Sequence, residues 1–266
     1  MDDKLATFAT QYAEHRAAEG RGYAGIDLVS LPYLRVGPFA RQWSVRARSF
    51  EAFDRIVIRP MAERLGRALS VLDLGAGNGW LSYRLATQGH QAIALDIRDD
   101  DVDGLGAAGG LEALADGRMQ RRVASFEDIP LQAASLDVAV FNASLHYALD
   151  LERALDEAAR VVRPGGRLVI LDSPFYRREA QGAAMVAEKR AQSVERFGER
   201  AEALLAPPFI EFLTRERLLA ASEGSGLAWV RRRIRYPLWY EMRPLVAALR
   251  GQRAPSRFDL WVTARQ

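Results

Sequence analysis

The sequence predicts an α/β fold in which a mostly parallel, doubly wound sheet carries helices on both faces. Three observations lead to this prediction. From residue 70 onwards, short apolar runs typical of fully buried strands alternate with amphipathic helical patterns. A glycine-rich turn between Gly75 and Gly79 joins the first of these runs to a helix. The length of 266 residues suits one such domain with attached helical pieces.

Residues 1–69 show helical rather than strand patterns, so they are predicted to form a helical N-terminal cap. Phe8 and Tyr12 lie one helical turn apart, and a longer apolar stripe runs from Phe50 to Leu65. Between these stripes, residues 20–45 are rich in glycine, proline and aromatic side chains. This composition is typical of an ordered loop with short turns.

Residues 70–266 are predicted to form the core, a seven-stranded sheet with a helical insert after strand five. The predicted strands are 71–74, 91–96, 121–124, 136–141, 167–172, 227–236 and 258–264. A helix is predicted over 151–162, and Pro164, Gly165 and Gly166 are expected to end it before strand five. The insert, about 175–212, is long for a plain connection, and we interpret it as a substrate lid.

The composition excludes several classes of site. The chain has no cysteine, which removes disulfides, thiolate catalysis and cysteine-bound zinc, and its three histidines do not suggest a metal site. No apolar run is long enough to span a bilayer, and no hydrophobic signal region is visible, so we expect a cytoplasmic protein without a membrane partner. The net charge of +3 comes from acids and bases that are interleaved almost everywhere. The one dense run, residues 231–235, is interpreted as the exposed face and ends of a strand, so nucleic-acid binding is not indicated.

The turn in VLDLGAGNGW, residues 71–80, is the most informative segment. Its glycines let the backbone turn sharply and let a ligand approach closely, and Asp96 at the end of the next strand can accept hydrogen bonds from ribose hydroxyls. These features fit any Rossmann-like nucleotide-binding fold. Two details favour a ligand without pyrophosphate: Trp80 stands where a dinucleotide site has its third glycine, and Asp73 suits an ammonium group.

Five segments, in this order, resemble the class I S-adenosylmethionine-dependent methyltransferases of the small-molecule type. They are LDLGAGNGW (72–80), ALD ending at Asp96, SFEDIPL (125–131), FNASLHY (141–147) and RVVRPGGRLVILD (160–172). The resemblance spans roughly residues 70–172. It implies a Rossmann-like fold and S-adenosyl-L-methionine as the cofactor.

The resemblance also implies which residues bind this cofactor. Asp73 would orient the amino group, and Asp96 would bind the ribose. Ser125 stands where many relatives have an aspartate near the adenine, and its hydroxyl is a weaker acceptor. The complete predicted set is Asp73, Gly75, Ala76, Gly77, Gly79, Asp96, Ile97, Ser125, Phe126, Asn142, Ala143 and Ser144.

The acidic loop 99–104 matches the first half of a calcium-binding loop. The twelfth position of that loop should be a glutamate, but it is Gly110 here. We therefore expect a solvated loop close to the adenosine and no metal site.

Methyl transfer from a sulfonium is an in-line displacement, in which the protein supplies alignment and a dry pocket. An oxygen or carbon acceptor needs a base, for which His146, Tyr176 and Asp172 are candidates. Aromatic residues that are candidates for lining an apolar acceptor pocket are Tyr23, Tyr33, Trp43, Trp239 and Tyr240.

The predicted function is S-adenosylmethionine-dependent methylation of a small, partly apolar metabolite. Two alternatives stay open at this point. One is a relative that binds S-adenosylmethionine without methylating, and the other is an NAD(P)-dependent oxidoreductase.

Overall fold

The structure is a computed structural model that describes residues 3–18, 20, 22–198, 201 and 205–266. Within these residues, seven strands form one sheet. They are β1 (Ser70–Leu74), β2 (Gln91–Asp96), β3 (Met119–Val123), β4 (Leu136–Asn142), β5 (Val162–Leu171), β6 (Val230–Arg232) and β7 (Leu260–Ala264).

The sheet has the order β3-β2-β1-β4-β5-β7-β6. The first five strands pair in parallel, and β7 runs antiparallel to β5 and β6. The strand order reverses between β1 and β4, which places the topological switch point, where ligands bind in such sheets, at their carboxyl ends. The predicted mostly parallel, doubly wound sheet is confirmed.

Helices cover both faces of this sheet. Before β1 the chain forms α1 (Asp3–Ala18), α2 (Gly25–Ser30), α3 (Ala40–Phe53), a π-helical turn (Asp54–Ile58) and α4 (Arg59–Leu65). Between the parallel strands lie α5 (Trp80–Thr87), α6 (Gly109–Leu114), a 3₁₀ turn (Leu145–Tyr147) and α7 (Leu151–Val161). After β5 come α8 (Glu179–Phe197), α9 (Arg215–Ala220), α10 (Leu238–Glu241) and α11 (Arg243–Leu249). No helix among the described residues is both long and apolar enough to cross a bilayer.

Two apolar clusters sandwich the sheet because successive strand residues point to opposite faces. On β1, Val71 packs into the cluster that contains Phe53 of α3, whereas Leu72 packs into the cluster that contains Leu155 of α7. Every residue of β4 is buried, as expected for a central parallel strand. The core therefore holds the carboxyl ends of the strands in fixed positions.

The structure corrects two predicted boundaries. Pro164–Gly166 lie inside β5, which begins at Val162 and shifts its register against β4 between Leu136 and Val138. A Cβ on Gly166 would press against the carbonyl oxygen of Asp137, so the close approach of the two strands requires glycine there.

The predicted strand 227–236 shortens to Val230–Arg232. Beyond it, the backbone N–H of Ile234 donates to the side-chain oxygen Asp259 Oδ1 at 3.3 Å. It therefore does not pair with the backbone of a neighbouring strand. The division into a cap (1–69) and a core (70–266) stays a prediction, and part of the predicted insert, residues 199–200 and 202–204, lies outside the described residues.

Candidate functional site

A cavity of about 380 Å³ opens at the carboxyl ends of the parallel strands. Segments that follow five strands form its floor, and α1 and α3 cover it. The floor residues are Gly75–Asn78, Asp96–Arg98, Ser125–Glu127, Asn142–Ser144, Asp172 and Pro174. The structure thus brings together most of the residues that the sequence singled out.

The glycine turn after β1 has the backbone conformation that its sequence indicates. Gly75 and Gly77 have positive φ angles of 72° and 53°, which glycine adopts readily. The N–H groups of Gly75 and Ala76 donate to Leu95 O of β2, at 2.8 and 3.0 Å. A Cβ on Gly75 would collide with Ser144, whose hydroxyl donates to Leu74 O. The turn is therefore held on both sides and leaves an open surface towards the cavity.

Asp96 lies at the end of β2 and lines the cavity while being only 8% exposed. Its Oδ2 accepts from the N–H of Gly77 at 2.8 Å, and its Oδ1 accepts from the N–H of Arg98 at 2.9 Å. Burial raises the pKa of this carboxyl, against the opposing charge of Arg98. Two backbone bonds fix the carboxylate, and its remaining lone pairs can accept ligand hydroxyls.

Asp73 and Gly79 belong to the predicted cofactor set but do not line the cavity. Asp73 Oδ2 accepts from Ser82 Oγ at 3.0 Å, and its buried Oδ1 has no hydrogen-bond partner among the described residues. Burial raises the pKa of Asp73 to about 7. A Cβ on Gly79 would collide with Met119 and Ala108, so this glycine lets α5 pack closely.

At the other end of the cavity, Asp172 follows β5 with a positive φ of 50° and is buried. Its Oδ1 accepts from Ser49 Oγ of α3, and this hydroxyl lies 2.9 Å from the Tyr236 hydroxyl. Its buried Oδ2 has no partner in the described part of the chain. Burial raises the pKa of Asp172, and the charge of Arg46 and the Ser49 hydrogen bond oppose this rise. The free oxygen is suited to accept a hydrogen bond from a ligand.

The two other candidate catalytic residues differ in position. His146 lines the cavity, and burial with the nearby charges of Lys189 and Arg46 lowers its pKa to about 3, so its ring is neutral near pH 7. Tyr176 does not line the cavity. Its ring packs edge-on against Phe212 and its hydroxyl accepts from Arg253 at 3.1 Å. The reason is the bridge pairing of Phe175 with Leu213, which turns the chain away from the cavity after Pro174.

Of the five predicted pocket aromatics, only Trp43 lines the cavity. Tyr23 accepts from Trp43 Nε1 at 2.7 Å behind it, Tyr33 and Trp239 are exposed, and Tyr240 packs against Phe258. An aromatic cover formed by Phe8, Tyr12, Tyr147 and Phe209 was not predicted from the sequence. The helical stripe of Phe8 and Tyr12 was visible in the sequence, but a stripe does not say which element it faces.

The acidic loop after β2 is more buried than expected. Asp103 is buried and accepts from Arg16 Nε of α1 at 2.6 Å and from Asn78 Nδ2 at 3.0 Å. Asp100 Oδ1 accepts from three backbone N–H groups of the same loop. These bonds hold the loop in a fixed conformation and attach α1 to the cavity rim.

The residues at the turn end fit an adenosine-type ligand with an ammonium group. Asp96 offers a fixed carboxylate for hydroxyls, and Gly75 and Gly77 line the cavity without side chains. Asn142 has a buried side-chain oxygen without a partner in the described residues, as Asp73 does. Two unpaired buried acceptors below the turn suit a ligand with a positive charge better than one with phosphates.

Comparisons with known proteins are consistent with this geometry. Residues 72–170 match the model of a family described as a methyltransferase domain. An uncharacterized methyltransferase of Mycobacterium tuberculosis (strain ATCC 25618 / H37Rv) is 39% identical over 104 residues, 38% of either chain. A demethylmenaquinone methyltransferase of Clavibacter sepedonicus is 32% identical over 102 residues, 38% of this chain and 40% of that protein. The chain therefore spans about two fifths of the length of these curated relatives.

One solved structure is similar over nearly the whole chain. The geranyl diphosphate C-methyltransferase from Streptomyces coelicolor A3(2), in complex with Mg²⁺, geranyl diphosphate and S-adenosyl-L-homocysteine, superposes with a TM-score of 0.62. The alignment covers 96% of this chain and 98% of that chain at 15% identity. This likeness shows that the two chains share a fold.

Proposed function

Because residues 72–170 belong to the class I S-adenosylmethionine-dependent methyltransferase family, we propose that the chain methylates a small, partly apolar acceptor by in-line displacement. One observation carries the proposal. A single cavity has the glycine turn and Asp96 at one end and a buried carboxylate, Asp172, with a free oxygen at the other.

At the turn end, most of the predicted residues line the cavity, and their positions support the following roles. Asp96 accepts hydrogen bonds from the ribose hydroxyls, and Ile97 and Phe126 contact the adenine with apolar atoms. Asn142, Ala143 and Ser144 bound the methionine part, below which Asp73 favours a positive charge. When bound, S-adenosylmethionine supplies a methyl group that is already activated as a sulfonium, so no protein nucleophile is needed.

Aromatic side chains exclude water from the cavity. Phe8 and Tyr12 of α1, with Tyr147 and Phe209, cover it, and Trp43 of α3 also lines it. A dry, shaped pocket of this kind aligns the reacting atoms and reduces competition from water.

Asp172 acts as the general base in this proposal. Asp172 Oδ2 would take the proton from the acceptor's O–H or N–H group as the acceptor's oxygen or nitrogen attacks. Bound S-adenosylmethionine would supply the methyl carbon and would keep the electron pair of the broken carbon–sulfur bond on sulfur. His146 is the weaker candidate because its pKa of about 3 makes it a poor proton acceptor at neutral pH.

The proposed acceptor class rests on the aromatic lining and on the names of relatives such as the demethylmenaquinone methyltransferase. The absence of nucleic-acid partners and the cytoplasmic location stay predictions.

The cofactor assignment is tested by calorimetric titration with S-adenosylmethionine, S-adenosylhomocysteine and NAD. We expect the two sulfur compounds to bind and NAD not to bind. Asp96→Ala should weaken S-adenosylhomocysteine binding by about 1–3 kcal/mol, the value of lost charged hydrogen bonds. The matched control is Asp156→Ala, an exposed carboxylate on α7.

Two outcomes would contradict the proposal. Tight binding of NAD alone would favour an oxidoreductase. Tight S-adenosylmethionine binding without methyl transfer to any of a panel of small hydroxylated aromatic compounds would favour the non-methylating alternative.

A further inference from the structure

The helices α10 and α11 carry an exposed apolar surface. We call it the apolar helix surface. Its members are Leu238, Trp239, Met242, Leu245, Val246 and Leu249. Leu238 is 76% exposed and Leu249 is 81% exposed. Contiguous apolar patches of this kind mark binding surfaces rather than core.

The segment that contains this surface is strongly basic. Residues 231–253 hold seven arginines and one glutamate, a formal charge of +6, whereas the whole chain carries +3. Across the described residues, Arg232, Arg235 and Arg250 are exposed and have no ion-pair partner. The positive charge of the molecule is therefore concentrated beside its largest exposed apolar side chains.

Arginines of this segment and of α3 lie next to the apolar helix surface. Arg233 pairs with Glu241 of α10 at 3.2 Å, and the Arg41 guanidinium lies 5.8 Å from the centre of the Trp239 ring. Next to them, Arg231, Arg233 and Arg257 surround a shallow concavity. Among the described residues, these three arginines share two acidic partners, Asp259 and Glu241, which leaves positive charge facing solvent.

We propose that the apolar helix surface and its arginines dock on an anionic phospholipid bilayer. Short helices rich in leucine and tryptophan, flanked by arginine, lie in the plane of the lipid interface, with apolar side chains among the acyl chains and guanidinium groups at the phosphates. A second copy of the chain fits less well, because a two-fold contact would bring the same arginines together.

This inference replaces the expectation of no membrane partner. That expectation rested on the absence of a spanning apolar run, and an interfacial surface needs none. The surface is also close to the cavity, since Tyr240 of α10 packs against Phe258, which lines it. On the proposed function, docking brings the acceptor end towards the lipid phase, where apolar acceptors concentrate.

The test is co-sedimentation of the full chain with vesicles, without cofactor or acceptor, so that its result is independent of the proposed function. We expect binding to vesicles of equal parts phosphatidylcholine and phosphatidylglycerol, weak binding to pure phosphatidylcholine, and weaker binding as salt is added. The double variant Leu245→Glu/Leu249→Glu should lower the partition coefficient at least about tenfold. Arg232→Glu should lower it about fivefold or more.

The matched controls carry the same substitutions elsewhere. Ile26→Glu changes a side chain that is 79% exposed on α2, and Arg122→Glu changes an exposed arginine on β3, the opposite edge strand from β6. Both should bind vesicles like the wild type, and all variants should keep its unfolding temperature. Equal binding to the two vesicle types, equal losses in the controls, or no vesicle binding would overturn the proposal. So would a dimer in sedimentation equilibrium that Leu245→Glu/Leu249→Glu dissociates.

Discussion

Asp96 and Asp172 are both buried carboxylates at strand ends, but their different hydrogen bonds suit them to different functions. Both oxygens of Asp96 accept backbone N–H groups, which fixes the carboxylate and favours its charged form. Within the described part of the chain, Asp172 is hydrogen-bonded through one oxygen only, to a side-chain hydroxyl. Asp96 is thus suited to binding, whereas Asp172 keeps an oxygen free for a proton.

Replacing Asp172 with asparagine tests the proposed base. Asp172→Asn should lower kcat about 10²–10⁴-fold with any acceptor that the wild type uses, and leave S-adenosylhomocysteine affinity unchanged. Burial raises the pKa of Asp172, and Arg46 and Ser49 on α3, with Tyr236 and Tyr240 beyond β6, are the groups that face it. Because the base must be ionised, the wild-type rate should fall as pH falls through this raised pKa.

The pH dependence separates a base from a merely structural carboxylate. The asparagine variant should lose the acidic limb of the rate profile. Tyr176→Phe is the control and should keep both rate and profile, because Tyr176 lies outside the cavity. A profile in Asp172→Asn with the wild-type acidic limb would refute the role.

The position of α8 depends on Gly182, whose lack of a side chain lets the helix pack against Phe212. A Cβ on Gly182 would overlap the Phe212 ring, so the helix approaches the end of the insert as closely as its backbone permits. The sequence predicted a helix here but gave no sign of this contact. The two short helices α10 and α11 were not predicted either, since their patterns are too brief for periodicity to show.

Gly182→Ala should therefore destabilise the protein by about 1–3 kcal/mol, the cost of overpacking, despite the better helix propensity of alanine. Gly110→Ala in α6 is the matched control. A Cβ there meets nothing within 4 Å, so the substitution should leave stability equal or higher. Urea unfolding measures both, and an equal effect of the two substitutions would show that the contact with Phe212 is not tight.

For the whole molecule, Asp137 joins the N-terminal region to the sheet. It is fully buried in β4 and accepts two hydrogen bonds from Arg67, both at 2.8 Å, and one from the N–H of Ser70 at 2.8 Å. Arg163 of β5 adds an ion pair at 3.2 Å. One carboxylate thus connects the end of the predicted cap with three strands.

Asp137→Asn should lower the free energy of unfolding by about 3 kcal/mol, because it leaves paired arginines without their charge partner. Urea unfolding at pH 7 measures this, with the exposed Asp156→Asn as control.

Burial would raise the pKa of Asp137, but hydrogen bonds from Arg67 and Ser70 hold it below its ordinary value. Its contribution is present above the ordinary aspartate pKa of about 4 and is lost as pH falls through the lower folded value. The difference between variant and wild type should shrink in that acidic range, and a constant difference would contradict the charge role.

The sequence by itself determined the parallel sheet, the glycine turn and the position of Asp96 at a strand end. These features follow from local rules: apolar runs form buried strands, glycine adopts positive φ, and parallel strands end at one edge. Only the tertiary structure decided that Ser49 and Tyr236, separated by 187 residues, meet at Asp172, that Phe8 and Tyr12 cover the cavity, and that Tyr176 turns away. These contacts depend on how distant elements pack, and packing is set by the shapes of many side chains at once, which no short segment encodes.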